Sequence, residues 1–300
     1  MRILIQFPEG LKQKATAIAK GYESEGHQVF LSASACYGAC DIALDEARWI
    51  KADKIVHFGH NSFIRNVFGI PIEYVDYPVD VDIGALEAVL PHIKGSRSIA
   101  LATTVQHIHQ LEAMKAFFEG HGKKVLIGKG DRAEKPGQIL GCDAGAVKKV
   151  EKDADAVVFV GNGMFHPLAL DVSKPVFVFN PIDSSVKDIA GEVERLRKRR
   201  KGAIAAAFSA KKFGILLCTK PGQFNLANAE WARRELEKRG LRCAILVANE
   251  LEPLTLKNFM SFDCYINTGC PRMADDSEEF GKPILNIDML LELFGLLDQG

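Results

Sequence analysis

Three cysteines of this chain lie in short stretches rich in glycine, aspartate and proline, the residue types that form turns. They are Cys40 in Tyr-Gly-Ala-Cys-Asp, Cys142 in Gly-Gln-Ile-Leu-Gly-Cys-Asp and Cys270 in Asn-Thr-Gly-Cys-Pro-Arg. Loops of this composition expose a side chain instead of burying it. Thiolates are the ligands of iron–sulfur clusters, and three of them fit a cubane cluster that leaves one iron open to a substrate. We therefore predict that these cysteines hold one cluster together.

The chain has seven cysteines, and the other four allow different interpretations. Cys218, Cys243 and Cys264 lie in apolar strands, which is typical of free cysteine used as a small buried hydrophobe. Cys36 lies four residues before Cys40, a spacing that zinc ligands also use, but no second pair follows to complete a structural zinc site. An odd number of cysteines without a secretory leader argues against a disulfide framework and indicates reduced thiols.

The elements that must position these cysteines recur three times along the chain. Each copy begins with an apolar strand that runs into a turn, and an amphipathic helix follows, in which apolar residues are spaced by three and four. Three further strands complete each copy. The first strands are expected at residues 2–10, 98–106 and 213–223, the helices at 12–25, 107–122 and 228–240, the second strands at 27–34, 124–130 and 242–249, the third at 54–60, 156–162 and 264–270, and the fourth at 71–76, 175–180 and 283–288.

This repetition predicts an α/β protein of three similar small parallel-sheet domains. The strands are nearly continuous runs of Val, Ile and Leu, as in parallel sheets that helices cover on both faces. The predicted domains are residues 1–95, 96–208 and 209–300. Ligands bind outside the carboxyl ends of parallel strands. An arrangement around a pseudo-threefold centre would therefore bring one cysteine loop of each domain to a common site.

The composition excludes several classes of partner. Lys plus Arg and Asp plus Glu both number 38, so no global field attracts nucleic acid or an anionic membrane. We interpret the basic run at residues 195–201 as a solvated helix face that leads into a linker. No apolar run reaches the roughly 18 residues of a membrane span, and the N-terminal apolar run is too short for a signal peptide. These features predict a cytoplasmic protein with no membrane and no direct nucleic-acid partner.

Seven short motifs, in this order and over nearly the whole chain, resemble those of one family. They are Tyr-Gly-Ala-Cys-Asp (37–41), His-Phe-Gly-His (57–60), Thr-Thr-Val-Gln-His (103–107), Gly-Gln-Ile-Leu-Gly-Cys (137–142), Gly-Asn-Gly-Met-Phe-His-Pro (161–167), Thr-Lys-Pro-Gly-Gln (219–223) and Asn-Thr-Gly-Cys-Pro-Arg (267–272). In these motifs the chain is similar to the archaeal 2-(3-amino-3-carboxypropyl)histidine synthases, which catalyse the first step of diphthamide biosynthesis.

The resemblance implies a transferase that uses a [4Fe–4S] cluster and S-adenosylmethionine. It implies that Cys40, Cys142 and Cys270 hold the cluster, one from each domain. A reduced cluster would pass an electron to the sulfonium and cleave its bond to the methionine γ-carbon. The 3-amino-3-carboxypropyl radical would then add to a histidine of archaeal translation elongation factor 2, leaving methylthioadenosine. The resemblance also implies a homodimer and an external electron donor.

The loops at the strand ends offer candidate contacts for S-adenosylmethionine, whose charged groups need a cation, amides and a closely approaching backbone. The candidates are Gln106, Asn162, Gly163, Gln223 and Arg272. Gly163 could instead be a turn residue that needs positive φ. Arg272 could instead pair with Asp275 or Asp276.

Several histidines also lie in loops and at strand ends, where they could form a separate metal site or accept protons. They are His57, His60, His107, His109 and His166. We expect His57, a strand residue, to have a packing role, and His60, His107 and His166 to line the entrance of the site. The sequence assigns no catalytic acid or base.

Two other functions are compatible with three cysteines on a cluster. Quinolinate synthase also combines three α/β repeats with such a cluster, but uses the open iron as a Lewis acid for a dehydrative condensation. A non-catalytic subunit would keep the cluster only for electron relay or architecture. Consumption of S-adenosylmethionine with release of methylthioadenosine separates the transferase from both alternatives.

Overall fold

The structure is a computed structural model of the 300-residue chain. It describes residues 1–62, 64 and 69–299, except for the side chains of residues 276 and 277. The chain divides into two compact units, Met1–Ala190 and Gly191–Gly300, hereafter the first and second units. Within the described residues, the first unit contains two sheets and the second unit contains one.

The first sheet has four parallel strands in the order β2-β1-β3-β4. A short 3-10 helix, Glu9–Lys14, leads directly into the first α-helix. The elements are β1 (Arg2–Gln6), α1 (Ala15–Ser24), β2 (Gln28–Leu31), α2 (Leu44–Trp49), β3 (Lys54–Phe58) and β4 (Ile72–Val75).

The second sheet repeats this order with one strand added at its edge, as β6-β5-β7-β8-β9. The first four strands are parallel, and β9 runs antiparallel to β8. The elements are β5 (Ser98–Thr103), α3 (Leu111–Gly120), β6 (Lys124–Leu126), α4 (Gly145–Lys148), β7 (Ala156–Val160), β8 (Val176–Asn180) and β9 (Ser185–Asp188), with 3-10 helices at Gly84–Val89, Ile108–Gln110, Glu151–Asp153 and Pro167–Ala169.

The third sheet again has four parallel strands, in the order β11-β10-β12-β13. The elements are α5 (Ala190–Ala207), β10 (Lys212–Cys218), α6 (Leu226–Lys238), β11 (Arg242–Ala248), α7 (Pro253–Lys257), β12 (Cys264–Asn267), a 3-10 helix at Pro271–Asp276, α8 (Ser277–Phe280), β13 (Ile284–Asn286) and α9 (Ile287–Leu297).

Burial of the central strands explains why the apolar runs form these sheets. In β1, Ile3 and Ile5 belong to one apolar cluster and Leu4 to another, so both faces of the strand are covered. All six residues of β5 and all five of β7 are buried. Because each fully buried aliphatic side chain contributes about 1.5–3 kcal/mol, these strands make up much of the hydrophobic core of their sheets.

The prediction of three similar parallel-sheet α/β repeats is confirmed, and the predicted strands appear within a few residues of their expected positions. The sequence did not predict β9. Only Val186 is apolar in that strand, and its other residues are exposed, so no apolar run marks it. The domain ranges 1–95, 96–208 and 209–300 stay a prediction, and each range contains the strands of one sheet.

The basic run at residues 195–201 lies on α5, as the sequence predicted. Arg195 and Lys198 have three quarters of their side-chain surface exposed and pair with glutamates on the same helix. Arg200 differs, because its guanidinium contacts Asp275. Among the helices that the structure describes, none combines the length and the apolar character that crossing a bilayer requires.

Candidate functional site

The loop that carries Cys40 is attached to the end of β1 by a glutamine side chain. Gln6 is the last residue of that strand and is 1% exposed. Its Nε2 donates to the carbonyl oxygen of Asp41 (2.8 Å), and its Oε1 accepts from the N–H of Ala43 (3.1 Å). A buried amide can satisfy one donor and one acceptor of a loop at once. Gln6 therefore holds the segment after Cys40 at the carboxyl end of the first sheet.

The loop that carries Cys142 is attached to the end of β5 through the backbone. The N–H of Thr103, the last residue of the strand, donates to the carbonyl oxygen of Gly137 (2.9 Å), and the N–H of Ile139 donates to the carbonyl oxygen of Thr103 (3.0 Å). These bonds extend the edge of the sheet by a short parallel bridge. Cys142 is thus presented at the carboxyl end of the second sheet.

Asp143, next to Cys142, organises this loop. Its carboxylate accepts from the N–H groups of Arg132 (2.6 Å), Ala133 (3.0 Å) and Gly145 (2.8 Å). Burial alone would raise the pKa of Asp143, but these backbone hydrogen bonds outweigh it and hold the pKa below its usual value. A Cβ on Gly130 would overlap the carboxylate, so the close approach of this backbone requires glycine there.

The Cys142 thiol has a cation beside it. Nη1 of Arg132 lies 3.9 Å from the Cys142 sulfur. Burial raises the pKa of the Cys142 thiol, and the Arg132 charge and hydrogen bond oppose that rise. A guanidinium in this position stabilises a thiolate, which is the form that binds metal.

The third cysteine loop, in the second unit, is attached to the carboxyl half of β10. Both the N–H and the hydroxyl of Thr268 donate to the carbonyl oxygen of Leu216, at 3.2 and 2.8 Å. Asn267, the last residue of β12, donates from Nδ2 to the carbonyl oxygen of Cys270 (2.7 Å). In each repeat, the cysteine loop is therefore hydrogen-bonded to the end region of the first strand.

The first unit has a cavity of about 360 Å³ at the ends of its strands. Two of the predicted contacts for S-adenosylmethionine, Gln106 and Asn162, line it, as do His107 and His166. Gln106 is oriented by a hydrogen bond from its Nε2 to the carbonyl oxygen of Gly59 (3.3 Å). The remaining lining residues are Pro8, Gly10, Leu11, Gly59, Tyr77, Val79, Asp80, Thr104, Pro181 and Ile182.

The other three predicted contacts have local structural roles. Gly163 has a φ of 72°, as its alternative interpretation as a turn residue requires. Arg272 Nη1 lies 2.8 Å from Asp275 Oδ2, and both residues are buried, which is the alternative pairing considered for this arginine. The side chain of Asp276, the other partner considered, lies outside the described residues. Gln223 follows β10, and its N–H donates to the carbonyl oxygen of Lys220 (2.9 Å). Their part in substrate binding stays a prediction.

Three polar residues near these loops were missed by the sequence analysis. Arg132 and Gln6 are described above, and the third is Lys220, which is 3% exposed and lies 2.6 Å from Glu250 Oε1. A sequence signal existed for two of them. Gln6 is a polar residue that directly follows the apolar run 3–5 of β1, and Lys220 lies inside the motif Thr-Lys-Pro-Gly-Gln.

Comparison with known proteins decides the family. The family model for diphthamide synthesis proteins matches residues 7–294. The chain belongs to the diphthamide synthesis protein family. This match covers every strand after β1 and all three cysteine loops, and it confirms the resemblance found in the sequence motifs.

Curated relatives and solved structures in this family agree with the assignment. The chain is 37% identical to the 2-(3-amino-3-carboxypropyl)histidine synthase of Pyrococcus horikoshii over 99% of this chain and 87% of that protein. It is 30% identical to the enzyme of the same name from Methanocaldococcus jannaschii, over 94% of this chain and 81% of that protein. The crystal structure of Dph2 from Pyrococcus horikoshii with a 4Fe-4S cluster matches with a TM-score of 0.89 and 36% identity, over 98% of this chain and 86% of that one. The predicted enzyme class and fold are confirmed.

The cysteines of this family member differ in how well they suit a cluster. Cys40, Cys142 and Cys270 are partly exposed and lie in loops at the strand ends. Cys218 and Cys264 are buried in the apolar core of the second unit, as predicted for structural cysteines. Cys243 lies on β11 and is partly exposed, with its sulfur 3.8 Å from the carbonyl oxygen of Arg233. Partly exposed loop positions suit thiolate ligands of an iron–sulfur cluster, and the assignment of these three cysteines to one cluster stays a prediction.

Proposed function

We propose that the chain transfers the 3-amino-3-carboxypropyl group of S-adenosylmethionine to a histidine of translation elongation factor 2, with a [4Fe–4S] cluster held by Cys40, Cys142 and Cys270. One observation carries the proposal. Each of the three repeats attaches one cysteine loop to the end region of its first strand, in a family whose Pyrococcus horikoshii member contains a 4Fe-4S cluster.

The net reaction is redox-neutral. The bond between the sulfonium sulfur and the methionine γ-carbon breaks, a bond to an imidazole carbon forms, and that carbon loses a proton, so that methylthioadenosine is the second product. When bound, the cluster would supply the electron that makes this carbon–sulfur cleavage a radical process, and the radical adduct on the imidazole would give one electron back as it loses its proton.

The residues of the chain would bind the cluster, orient S-adenosylmethionine and exclude water. Arg132 would favour the metal-binding thiolate form of Cys142, because its guanidinium lies 3.9 Å from the sulfur and opposes the rise in pKa that burial causes. The cavity of about 360 Å³ falls within the range of pockets for small ligands. Gln106 and Asn162 would supply its amides to the polar groups of S-adenosylmethionine. A fixed position of the substrate decides which carbon–sulfur bond breaks.

The same proposal includes partners that rest on the family resemblance. We infer a homodimer from the resemblance, and we infer an external electron donor because the reaction needs a reduced cluster. The protein substrate is translation elongation factor 2. Sedimentation of the anaerobic protein tests the dimer, since a monomer at all concentrations would contradict it.

Anaerobic reconstitution tests the cluster. Iron and sulfide content are measured for the unmodified chain and for Cys40→Ala, Cys142→Ala and Cys270→Ala, with Cys243→Ala as the matched control. Cys243 is also a partly exposed cysteine of the chain but lies on a strand, so its loss should leave the cluster intact. Cys218 is a poorer control, because its Cβ lies next to Gly269 in the Cys270 loop. A full cluster in any of the three loop variants would contradict the ligand assignment.

Product analysis tests the reaction. The cluster-loaded protein, reduced and mixed with elongation factor 2, should consume S-adenosylmethionine and release methylthioadenosine. Gln106→Ala should weaken S-adenosylmethionine binding by about tenfold, the loss of one hydrogen bond, while the iron content stays unchanged. Turnover of dihydroxyacetone phosphate with iminoaspartate would instead support a quinolinate synthase, and a cluster without any turnover would support a non-catalytic subunit.

A further inference from the structure

A cysteine and two histidines of the first unit form a compact group behind the Cys40 loop. The residues are Cys36, His57 and His60, and their potential ligand atoms all lie within 4.8 Å of one another. The Cys36 sulfur is 4.0 Å from His57 Nε2, and His57 Nε2 is 3.0 Å from His60 Nδ1. Cys36 is 3% exposed and His57 is fully buried. The proposed function uses none of these three side chains.

The chain brings the two histidines together by a turn at Gly59. His57 lies in β3, one residue before the strand ends at Phe58. Gly59 has a φ of 76°, and a Cβ there would lie 3.1 Å from Cγ of Pro8. Since this backbone conformation favours glycine, the motif His-Phe-Gly-His returns the His60 ring to the His57 ring. The ring centroids are 5.2 Å apart.

The hydrogen bonds of Gln6 determine which nitrogen of His57 carries the proton. Gln6 Oε1 accepts from the N–H of Ala43, and Gln6 Nε2 donates to Asp41, so Oε1 is the acceptor end of the amide. His57 Nδ1 lies 3.1 Å from this Oε1 and must donate to it. His57 Nε2 therefore presents a lone pair towards Cys36 and His60. A histidine that donates its far N–H to an oxygen acceptor is the usual arrangement in metal sites.

The protonation states of the imidazoles are those that a metal ligand requires. Burial, with the neighbouring His60 as a smaller cause, lowers the pKa of His57 to about 3. Burial, with His166 as a smaller cause, lowers the pKa of His60 to about 4. Both rings are therefore neutral at neutral pH, and a neutral imidazole is the form that coordinates metal. Burial raises the pKa of the Cys36 thiol to about 12, so a bound ion would have to displace its proton.

We propose that Cys36, His57 and His60 bind one transition-metal ion of the zinc type at a site separate from the iron–sulfur cluster. Tetrahedral zinc with bonds of about 2.0 Å to nitrogen and 2.3 Å to sulfur separates two nitrogens by roughly 3.3 Å, and a nitrogen from a sulfur by roughly 3.6 Å. The distances of 3.0 and 4.0 Å differ from these by a few tenths of an ångström. A site of one thiolate and two imidazoles favours zinc and similar first-row divalent metals over magnesium or calcium.

Three protein ligands leave one coordination position for a water or a substrate group. The loop between the two histidines leads towards the cavity, since Gly59 is one of its lining residues. A bound ion would also hold this turn against β1, where Gln6 supports both the Cys40 loop and His57. Gln6, which supports the loop of the predicted cluster ligand Cys40, would therefore also support the proposed metal site.

The metal content of the full-length protein tests the proposal. Protein purified anaerobically from cells supplied with zinc should contain one equivalent of zinc in addition to its iron. Cys36→Ala should lose the zinc and keep the iron, while Cys243→Ala keeps both. Iron content reports on the cluster and zinc content on the new site, so the two hypotheses can fail separately. Zinc that persists in Cys36→Ala, or iron-loaded protein without zinc, would overturn this proposal.

Cobalt provides an independent spectroscopic test on the full-length chain with Cys40, Cys142 and Cys270 all changed to Ala. Added Co²⁺ should produce a thiolate-to-cobalt absorption band at one equivalent, and Zn²⁺ should abolish it. His60→Gln in this background should weaken binding by more than about 100-fold, since it removes a direct ligand. His107→Gln, which changes a histidine outside the group, should bind as before. If no thiolate band forms, Cys36 and the two histidines are a hydrogen-bonded packing cluster and the proposal is wrong.

Discussion

The Cys40 and Cys142 loops occupy the same place in two sheets of the same strand order, yet their surroundings differ in charge and in means of attachment. Behind Cys40 lie a buried thiol and two imidazoles, and a glutamine side chain holds the loop. Beside Cys142 lie a guanidinium and a carboxylate with three backbone hydrogen bonds, and the backbone itself holds the loop. The repeated topology therefore determines where each of the two cysteines lies, whereas individual side chains determine the charges around its thiol.

The largest expected effect removes either thiol. Cys40→Ala and Cys142→Ala should each lower transferase activity by more than about 100-fold, because each removes a proposed cluster ligand. Release of methylthioadenosine and iron content are the measurements. Comparable losses would show that the two loops are equivalent in function despite their different surroundings. If the cluster were lost in one variant and retained in the other, the two loops would not be equivalent in function.

The two means of attachment should respond differently to mutation. Gln6→Leu leaves the N–H of Ala43, the carbonyl of Asp41 and Nδ1 of His57 without their partner and should cost about 2–3 kcal/mol. Thr103→Val removes only the hydroxyl bond to the carbonyl oxygen of Val160 and should cost about 1 kcal/mol.

Urea unfolding measures both free energies of unfolding, and reconstituted iron content reports on each loop. Gln6→Leu should reduce the cluster content, whereas Thr103→Val should preserve it, because the backbone bonds of Thr103 remain. Equal losses of iron in the two variants would contradict the distinction between side-chain and backbone attachment.

The charge difference can be tested at Arg132. Arg132→Ala removes a positive charge and a hydrogen bond from the sulfur of Cys142, a proposed cluster ligand, so the cluster should become harder to reduce and its reduction potential should shift to a more negative value. Spectroscopic redox titration measures the shift. Lys135→Ala is the matched control, since this nearby cation pairs with Asp76 instead. An unchanged potential in Arg132→Ala would show that the guanidinium does not act on the cluster.

The smallest expected effect is a pH dependence at Asp143. Its pKa is lower in the folded chain than the ordinary value of 3.8, because backbone hydrogen bonds outweigh burial. Its contribution to stability is therefore complete above pH 3.8 and is lost as the pH falls through the folded pKa. Asp143→Asn should lower the free energy of unfolding by about 1 kcal/mol at pH 7, and this difference should shrink in acid.

Asp41, the aspartate that follows Cys40, serves as the comparison for this measurement. Its Oδ2 lies 3.4 Å from the N–H of Tyr37, which is a longer and weaker hydrogen bond than those of Asp143. Asp41→Asn gives the corresponding measurement for the first repeat, and a difference for Asp143→Asn that does not shrink in acid would contradict the role of its carboxylate. A larger effect at Asp41 would show that the Cys40 loop depends on its own carboxylate as well as on Gln6.

Much of the fold could be predicted because its signals are local. The buried strands are apolar runs, and the predicted positions of β5 and β7 differ from the structure by a few residues at one end. The edge strand β9 carries no such run and was missed. The helix predicted from residue 12 begins as α1 at Ala15, because a 3-10 turn precedes it.

The candidate site could be predicted only in part. Turn residues around Cys40, Cys142 and Cys270 correctly indicated partly exposed loop positions. The ion pair of Arg272 with Asp275 was one of two interpretations that the sequence left open. The contact of Arg132 with Cys142 had no sequence signal, because a lone arginine in a loop is usually solvated.

The sequence by itself determined three repeats, the four parallel strands of each and the loops that carry cysteine, because hydrophobic periodicity and turn composition act over a few residues. Only the tertiary structure decided which polar atoms meet. Gln6 and His57 are 51 residues apart and become neighbours because β1 and β3 pair in parallel. Such contacts depend on strand register and side-chain direction, which no short stretch of sequence encodes.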